Sequence, residues 1–417
     1  MTIANNHEYM SKEEKQQLQL ERLQSTINRA CRNVAFHRRR FSEAGIDPAG
    51  IRCLQDITSL PFMNRGHLSE HYPYDLFAVP LRDIVRIHTA PGTTRNPTVS
   101  GYTPQDLHIW QQILARGLEA AGVTAHDILQ INLNPGLANW GRDYKSGAEL
   151  VEASVIPNIP LSIEKKIMVL RDYKSSVLVT TPALAMELAA HIREQPGMQE
   201  VPDLKTLILA GDAISDKHRH SLEQTLRVKV WMHYGLSEVP GPAMAFECKA
   251  QKGLHINEDH FLAEIVNPET GVPVAYGEAG ELVLTTLTTR ALPLIRFKTG
   301  DKARFSKEQC SCGRTLCRIQ WWGERTDEII NIDGVTVHGR LIVANLENTL
   351  GSMAGPVRFF VRKAQEKKYL EIWLPVSAEI FSDEIKELEK LMHHAEGRLR
   401  ENLGVPVAIR LKEKAAL

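Results

Sequence analysis

Met232-His-Tyr-Gly-Leu-Ser-Glu-Val-Pro-Gly-Pro (232–242) decides how the chain is read. A short apolar run, Val228 to Trp231, leads straight into this turn of Gly, Ser and Glu. In an α/β protein such a turn lies at the carboxyl end of a strand, where ligands bind.

The sequence upstream supports that placement. Apolar runs at Ile128–Leu133, Ser154–Ile156, Val177–Val179, Leu207–Ala210 and Val228–Trp231 alternate with helix-like stretches at 104–121, 162–173, 183–194 and 215–226. Strands alternating with helices imply βαβ units and a parallel sheet buried on both faces. Further upstream, Leu20, Leu23, Ile27, Ala30, Cys31 and Val34 recur at helical spacing, so residues 11–35 read as a helix with a core-packing stripe. Downstream of Pro242 the texture changes. Phe261–Val266 and Glu281–Thr286 read as antiparallel strands, with a turn signal at Asn267 to Gly271. Residues 329–417 read as a small α+β block, with strands near Arg358–Val361, Tyr369–Leu374 and Val405–Leu411 and a helix from Asp383 to Asn402.

The bulk composition narrows the function classes. The chain has 417 residues, is 43% hydrophobic, and balances 50 basic against 50 acidic side chains. No charge excess points to nucleic acid or an anionic membrane, so neither partner is expected. No apolar run approaches the ~20 residues that span a bilayer, and residues 1–8 lack a signal-peptide core. A cytoplasmic protein is expected. Of six cysteines, Cys310, Cys312 and Cys317 fall within eight residues, with Cys248 in the same third of the chain. In a reducing compartment that clustering favours a metal over disulfides.

Several ordered stretches resemble the phenylacetate–CoA ligase-like branch of the adenylate-forming superfamily. They are Tyr234-Gly-Leu-Ser-Glu with its Val-Pro-Gly-Pro extension, Pro61-Phe62, Tyr72 to Tyr74, Leu76 to Pro80, Gly92 to Thr98, Gly253 to His255, Glu258 to Phe261, Gly277 to Val283 and Cys310 to Thr315. The resemblance runs nearly end to end. It implies an α/β fold with a large N-terminal adenylate-forming domain, 1–326, containing parallel sheet layers and an antiparallel section. A small, mobile α+β C-terminal domain, 327–417, follows. It also implies ATP-dependent activation of an aromatic or related carboxylic acid through an acyl-adenylate, with transfer to CoA. A relative running part of that cycle and a non-catalytic nucleotide or acyl-CoA binder are the alternatives. A homodimer would suit the family.

The resemblance carries roles residue by residue. Gly92, Thr93 and Thr94 match the phosphate loop, where backbone N–H groups and hydroxyls face oxyanions; alone, the loop reads as a turn between strands. Ala90-Pro91 stand where the family has small serines, and Arg95-Asn96 stand where it has Gly-Lys. Tyr234, Gly235 and Ser237 would sit against the nucleotide, and Glu238 would hold Mg²⁺ on its phosphates. Gly211-Asp212 matches the adenine-side turn, with Asp in place of Glu. Asp301 matches the acceptor of the ribose hydroxyls, Arg325 reaches ribose or phosphate, and Asp327 is the hinge pivot. Gly334 corresponds to a glycine lining the thiol channel.

The acid pocket is expected around residues 132–147, with Asn134, Gly136, Ala138 and Trp140 lining it; Asn134 and Asn139 read equally well as turn residues. Cys248, His255, Cys310 and Cys312 suit a structural tetrahedral Zn²⁺, with Cys317 the rival fourth ligand. Family members place a catalytic lysine in a glycine-rich loop beyond the last strand. Lys412 and Lys414 come earlier and lack that context, so its role is not carried to them.

Overall fold

The apolar stripe at the start of the chain becomes two helices, α1 (Lys12–Asn33) and α2 (Ala35–Glu43). Ser11 caps α1: its hydroxyl accepts from the Glu14 N–H, and the Glu14 carboxylate accepts from the Ser11 N–H. Two orphan donors are thereby satisfied. Val34 breaks the helix with extended backbone, which turns the buried Phe36 and Phe41 toward the core. Leu23, Ile27 and Ala30 pack with Phe41, Leu60, Leu287 and Ile295. A computed structural model describes residues 6–90, 96–133, 138–194, 201–327, 329–332, 335–350, 357–364, 367–375 and 385–412.

A short helix, α3 (Arg65–Glu70), precedes an antiparallel hairpin of β1 (Arg86–Ala90) and β2 (Thr98–Tyr102). Next come α4 (Pro104–Ala120), β3 (Ile128–Asn132), α5 (Ala138–Leu150), β4 (Ser154–Ile156) and α6 (Ile163–Asp172). They are followed by β5 (Val177–Thr180), α7 (Pro182–Glu194), β6 (Thr206–Leu209), α8 (Asp216–Leu226) and β7 (Lys229–Tyr234). Strands β3 to β7 pair in parallel, as the alternation predicted. Leu207, Ile208 and Leu209 are fully buried, each side chain contributing roughly 1.5–3 kcal/mol of apolar burial.

The antiparallel part is larger than the sequence suggested. It contains β8 (Ala245–Glu247), β9 (Leu254–Ile256), β10 (Phe261–Val266), β11 (Gly280–Thr286), β12 (Phe297–Phe305) and β13 (Arg318–Arg325). All join one eleven-stranded sheet in the order β10-β11-β12-β13-β9-β8-β7-β6-β5-β3-β4. β7 is the seam, parallel to β6 and antiparallel to β8. The expected α/β class with a parallel layer and an antiparallel section is therefore present. Among the described residues, no helix is long and apolar enough to cross a membrane.

The last block holds β14 (Ile329–Ile332), β15 (Val335–His338), α9 (Gly339–Leu350), β16 (Arg358–Ala364), β17 (Lys367–Pro375), α10 (Ile385–Leu403) and β18 (Val407–Lys412). β17 pairs antiparallel with β16 and parallel with β18. This block has its own core, built from Ile332, Val337, Ile342, Leu346, Leu370, Ile372, Leu399 and Val407. Lys412 places its ammonium 4.7 Å from the Trp373 ring centroid, a cation–π contact. Lys414 lies outside the described residues.

Candidate nucleotide and acid site

The seam strand carries the site. β7 runs three residues past Trp231 because β8 pairs with its end, His233 opposite Phe246 and Tyr234 opposite Ala245. Tyr234 is therefore a strand residue. Its buried ring meets Trp321 edge-on at 4.8 Å, and its hydroxyl donates to Asp301 Oδ2 at 2.7 Å. Arg325 Nη1 donates to the other Asp301 oxygen at 2.6 Å. Burial pushes the Asp301 carboxyl upward, against the opposing pull of Arg325 and Arg65. Burial alone would weaken the Arg325 cation, but Asp301 and Asp327 outweigh it and hold its pKa above the usual range. Arg325 also grips Asp327 with two bonds, Nε to Oδ1 at 2.7 Å and Nη2 to Oδ2 at 2.8 Å.

Glu238, in the turn after β7, lies beside this array. Arg65 Nε donates to Glu238 Oε1 at 2.6 Å, and Arg65 Nη1 donates to the Thr299 carbonyl at 2.6 Å. The Thr299 carbonyl also accepts from Arg325 Nη2 at 2.8 Å. One carbonyl thus ties the Arg65–Glu238 pair to the Asp301–Arg325 pair. Glu238 Oε2 is buried with no hydrogen-bond partner. A buried carboxylate oxygen is unfavourable without a donor or cation, so this atom suits a hard cation such as Mg²⁺.

Two glycines make the close approaches possible. A Cβ on Gly300, whose φ is +77°, would lie 2.1 Å from Asp327 Oδ2. A Cβ on Gly235 would lie 2.3 Å from the Gly241 carbonyl oxygen and 2.8 Å from Pro242 Cα. Both of the latter are backbone atoms that cannot swing aside. Gly235→Ala is expected to destabilise the protein by about 1–3 kcal/mol or more, as overpacking does. Urea denaturation reads this directly; an unchanged midpoint would show that the turn relaxes freely.

The remaining predicted residues are placed as follows. Gly211 follows β6 with φ +94°. Asp212 accepts from Lys368 Nζ on β17, joining the turn after β6 to the C-terminal block. Ser237 is exposed on the turn. Ala138 opens α5, a helix that sequence reading treated as pocket loop, and Trp140 on its first turn is buried. On the same helix, the Tyr144 hydroxyl meets His233 Nδ1 at 2.9 Å. Burial lowers the His233 pKa to about 4, which keeps it neutral near pH 7. Gly92, Thr93, Thr94, Asn134, Gly136 and Gly334 lie outside the described residues.

The four metal candidates converge. Cys248, His255, Cys310 and Cys312 bring one ligand atom each to within 4.8 Å of one another. Cys248 Sγ and Cys310 Sγ are 3.5 Å apart, and Cys312 Sγ is 3.4 Å from His255 Nε2. A tetrahedron with Zn–S bonds of about 2.3 Å has S···S edges of roughly 3.7 Å, so these donors fit Zn²⁺. His255 Nδ1 bonds the Leu316 carbonyl at 3.0 Å, which leaves Nε2 as the metal-facing atom. Burial pushes the Cys248 thiol up to about 12, so a thiolate there needs a cation beside it. Cys317 stands outside the group; its N–H donates to Glu258 Oε2 at 2.6 Å.

Comparison with known proteins settles the family. The chain is 35% identical to the phenylacetate–coenzyme A ligase of Thermus thermophilus, over 97% of this chain and 94% of that protein. This chain belongs to the phenylacetate–CoA ligase family. Residues 146–288 match the AMP-binding enzyme family model. As a family member it is an AMP-forming acid–CoA ligase, activating a carboxylic acid through AMP for transfer to CoA. Its fold matches that of 2-hydroxyisobutyryl-CoA ligase. The TM-score is 0.89 at 24% identity, over 99% of this chain and 89% of that one, for the complex with 2-HIB-AMP and CoA in the thioesterification state. For the same ligase in the postadenylation state the TM-score is 0.72 at 23% identity, over the same shares of the two chains.

Relative to this ligase site, sequence reading missed Arg65, Thr299, Trp321 and Lys368. Arg65 opens α3, where the Asn64 side chain caps the helix by accepting from the His67 N–H. Its partners Glu238 and Thr299 are 173 and 234 residues away in sequence. Nothing local marks such a residue, although it lies three residues after the Pro61-Phe62 stretch that carried part of the family resemblance.

Proposed function

We propose that this ligase forms the CoA thioester of an aromatic or related carboxylic acid, using ATP–Mg²⁺ and an acyl-adenylate. The observation that carries this reading is the array at the end of β7: Tyr234, Asp301 and Arg325 joined through Thr299 to the Arg65–Glu238 pair. In the first half-reaction an acid oxygen attacks the α-phosphorus and pyrophosphate leaves. In the second, the CoA sulfur attacks the acyl carbonyl and AMP leaves. Asp301, fixed at both oxygens, accepts from the ribose hydroxyls. Arg325 neutralises charge near the ribose and α-phosphate, and Glu238 Oε2 turns toward the phosphates, where bound Mg²⁺ would offset their charge. Gly92, Thr93 and Thr94 cradle the phosphates, while Gly211, Asp212, Gly235 and Ser237 border the base. Asn134, Gly136, Ala138 and Trp140 border the acid, and Gly334 borders the thiol path. Cys248, His255, Cys310 and Cys312 hold a structural Zn²⁺.

The same reading places the domain boundary between 326 and 327, with Asp327 as pivot. The separate C-terminal core supports that division. The better superposition on the thioesterification-state relative supports assigning the present arrangement to the second half-reaction. Lys368 then acts as a latch on Asp212. Their partly exposed ion pair contributes about 1 kcal/mol or less. Lys368→Ala is therefore expected to slow thioester formation about three- to fivefold and leave acid-dependent pyrophosphate release unchanged. Equal loss in both half-reactions would remove the latch role.

The function is tested by pyrophosphate release with phenylacetate and a panel of aryl and alkyl acids, for wild type and Glu238→Gln. The expected result is acid-dependent release that falls about 10²-fold or more in the variant, the scale on which loss of one transition-state contact is felt. Wild-type release favouring only short alkyl acids would overturn the aromatic assignment.

A further inference from the structure

Away from the β7 turn, a cavity of about 360 Å³ opens between α1, the start of α4 and the segment joining β11 to β12. Arg22 and Arg29 from α1 and Arg290 from that segment line it, together with His7 and His260. Among the described residues, none of the three arginines forms an ion pair with a carboxylate. Arg22 and Arg29 donate to neutral oxygens, Arg22 to the Asp259 carbonyl and Arg29 to the Thr26 hydroxyl and the Thr289 carbonyl.

The nearby carboxylates are already engaged. Asp106 accepts from the backbone N–H groups of Thr103, Arg290 and Ala291 and from the Thr103 hydroxyl. Asp259 is gripped by Arg116 at 2.8 and 2.9 Å and meets His7 Nδ1 at 3.2 Å. Two buried nitrogens remain without hydrogen-bond partners, the donor Arg29 Nε and the ring nitrogen His260 Nε2. His260 Nε2 lies 3.2 Å from Asp259 Oδ2, but the angle forms no hydrogen bond. His260 itself is 6% exposed. The Arg29 and Arg290 guanidinium groups repel one another, and burial lowers the pKa of Arg22 and Arg29 against the opposing pull of Asp259 and Asp106. An anion entering the cavity relieves both effects.

We propose that this cavity is a second anion site, which binds a phosphate group through Arg22, Arg29 and Arg290. Guanidinium groups match phosphate oxygens with paired N–H donors, and the volume accommodates more than a single phosphate. The ligand is either a free inorganic phosphate or pyrophosphate, or a phosphomonoester on a nucleotide. The site is independent of which acid the enzyme activates.

The test is calorimetric titration of the full-length protein, holding its metal, with inorganic phosphate, pyrophosphate and adenosine 3′,5′-bisphosphate in turn. Each is run on wild type, Arg290→Glu and Arg29→Gln. Arg290 is exposed, so its reversal leaves folding intact, and Arg29→Gln provides a second variant if it does not. Wild type is expected to show saturable binding of at least one probe, weakened about tenfold or more in both variants, with ATP affinity unchanged. A preference for the two inorganic probes identifies a free anion, and a preference for the bisphosphate identifies a nucleotide phosphomonoester. Absence of saturable binding, or binding that neither variant weakens, overturns the proposal.

Discussion

Asp301→Asn is expected to raise the Kd for ATP about 10- to 100-fold. The proposed role has this carboxylate accepting from the ribose hydroxyls, and a hydrogen bond to a charged group is worth about 1.5–3 kcal/mol, or one to two decades of affinity. The effect is large because the group is pre-positioned. Tyr234 and Arg325 each hold one Asp301 oxygen, at 2.7 and 2.6 Å, so nucleotide binding spends little on orienting it. The variant keeps the volume and leaves Arg325 paired with Asp327. A matched series with 2′-deoxy-ATP separates ribose recognition from general damage. Wild type is expected to discriminate between the two nucleotides, and Asp301→Asn to lose most of that discrimination. Equal discrimination in both proteins would remove the ribose role and leave Asp301 as a structural partner of Arg325.

The second large effect is loss of metal. Purified protein is expected to contain about one Zn²⁺ per chain, held by Cys248, His255, Cys310 and Cys312. Loss of a structural metal belongs among the larger destabilisations, about 3–5 kcal/mol. At roughly 2–4 °C per kcal/mol for a unit of this size, chelation or Cys310→Ser should lower Tm by about 6–20 °C. The ligands tie β8, β9 and the loop before β13 together, so the loss should appear as global unfolding rather than a change in KM. Cys317→Ser supplies the contrast and is expected to leave the zinc content unchanged. Zinc-free protein with an unaltered Tm would contradict the assignment.

The sequence displayed the parallel half of the sheet clearly. Buried strands such as Leu207-Ile-Leu-Ala are continuous apolar runs, and the intervening helices have the 3.6-residue period. The antiparallel half was harder to read. β8 and β9 are three residues long, and β12, Phe297-Lys-Thr-Gly-Asp-Lys-Ala-Arg-Phe, mixes charges into a strand, where Asp301 accepts from Tyr234 and Arg325. α5 was missed for a related reason. After Ala138 its first turn, Asn139-Trp140-Gly141, carries weaker helix formers and reads as a ligand loop.

In the site, the motif residues were legible and their supports were not. Tyr234, Glu238, Asp301 and Arg325 sit in recognisable local patterns. Arg65 reaches Glu238 across 173 residues and Lys368 reaches Asp212 across 156, and spacing carries no trace of such contacts. The candidate metal ligands were legible because thiols are rare, and the structure separates Cys317 from them through its contact with Glu258.

The deciding experiment incubates the protein with phenylacetate, ATP–Mg²⁺ and CoA and quantifies AMP, pyrophosphate and acyl-CoA together. Equal amounts of all three are expected, with pyrophosphate release dependent on the acid and acyl-CoA dependent on both acid and CoA. Absence of AMP and pyrophosphate across phenylacetate and related aryl acids, from folded and zinc-loaded protein, would contradict the proposed function.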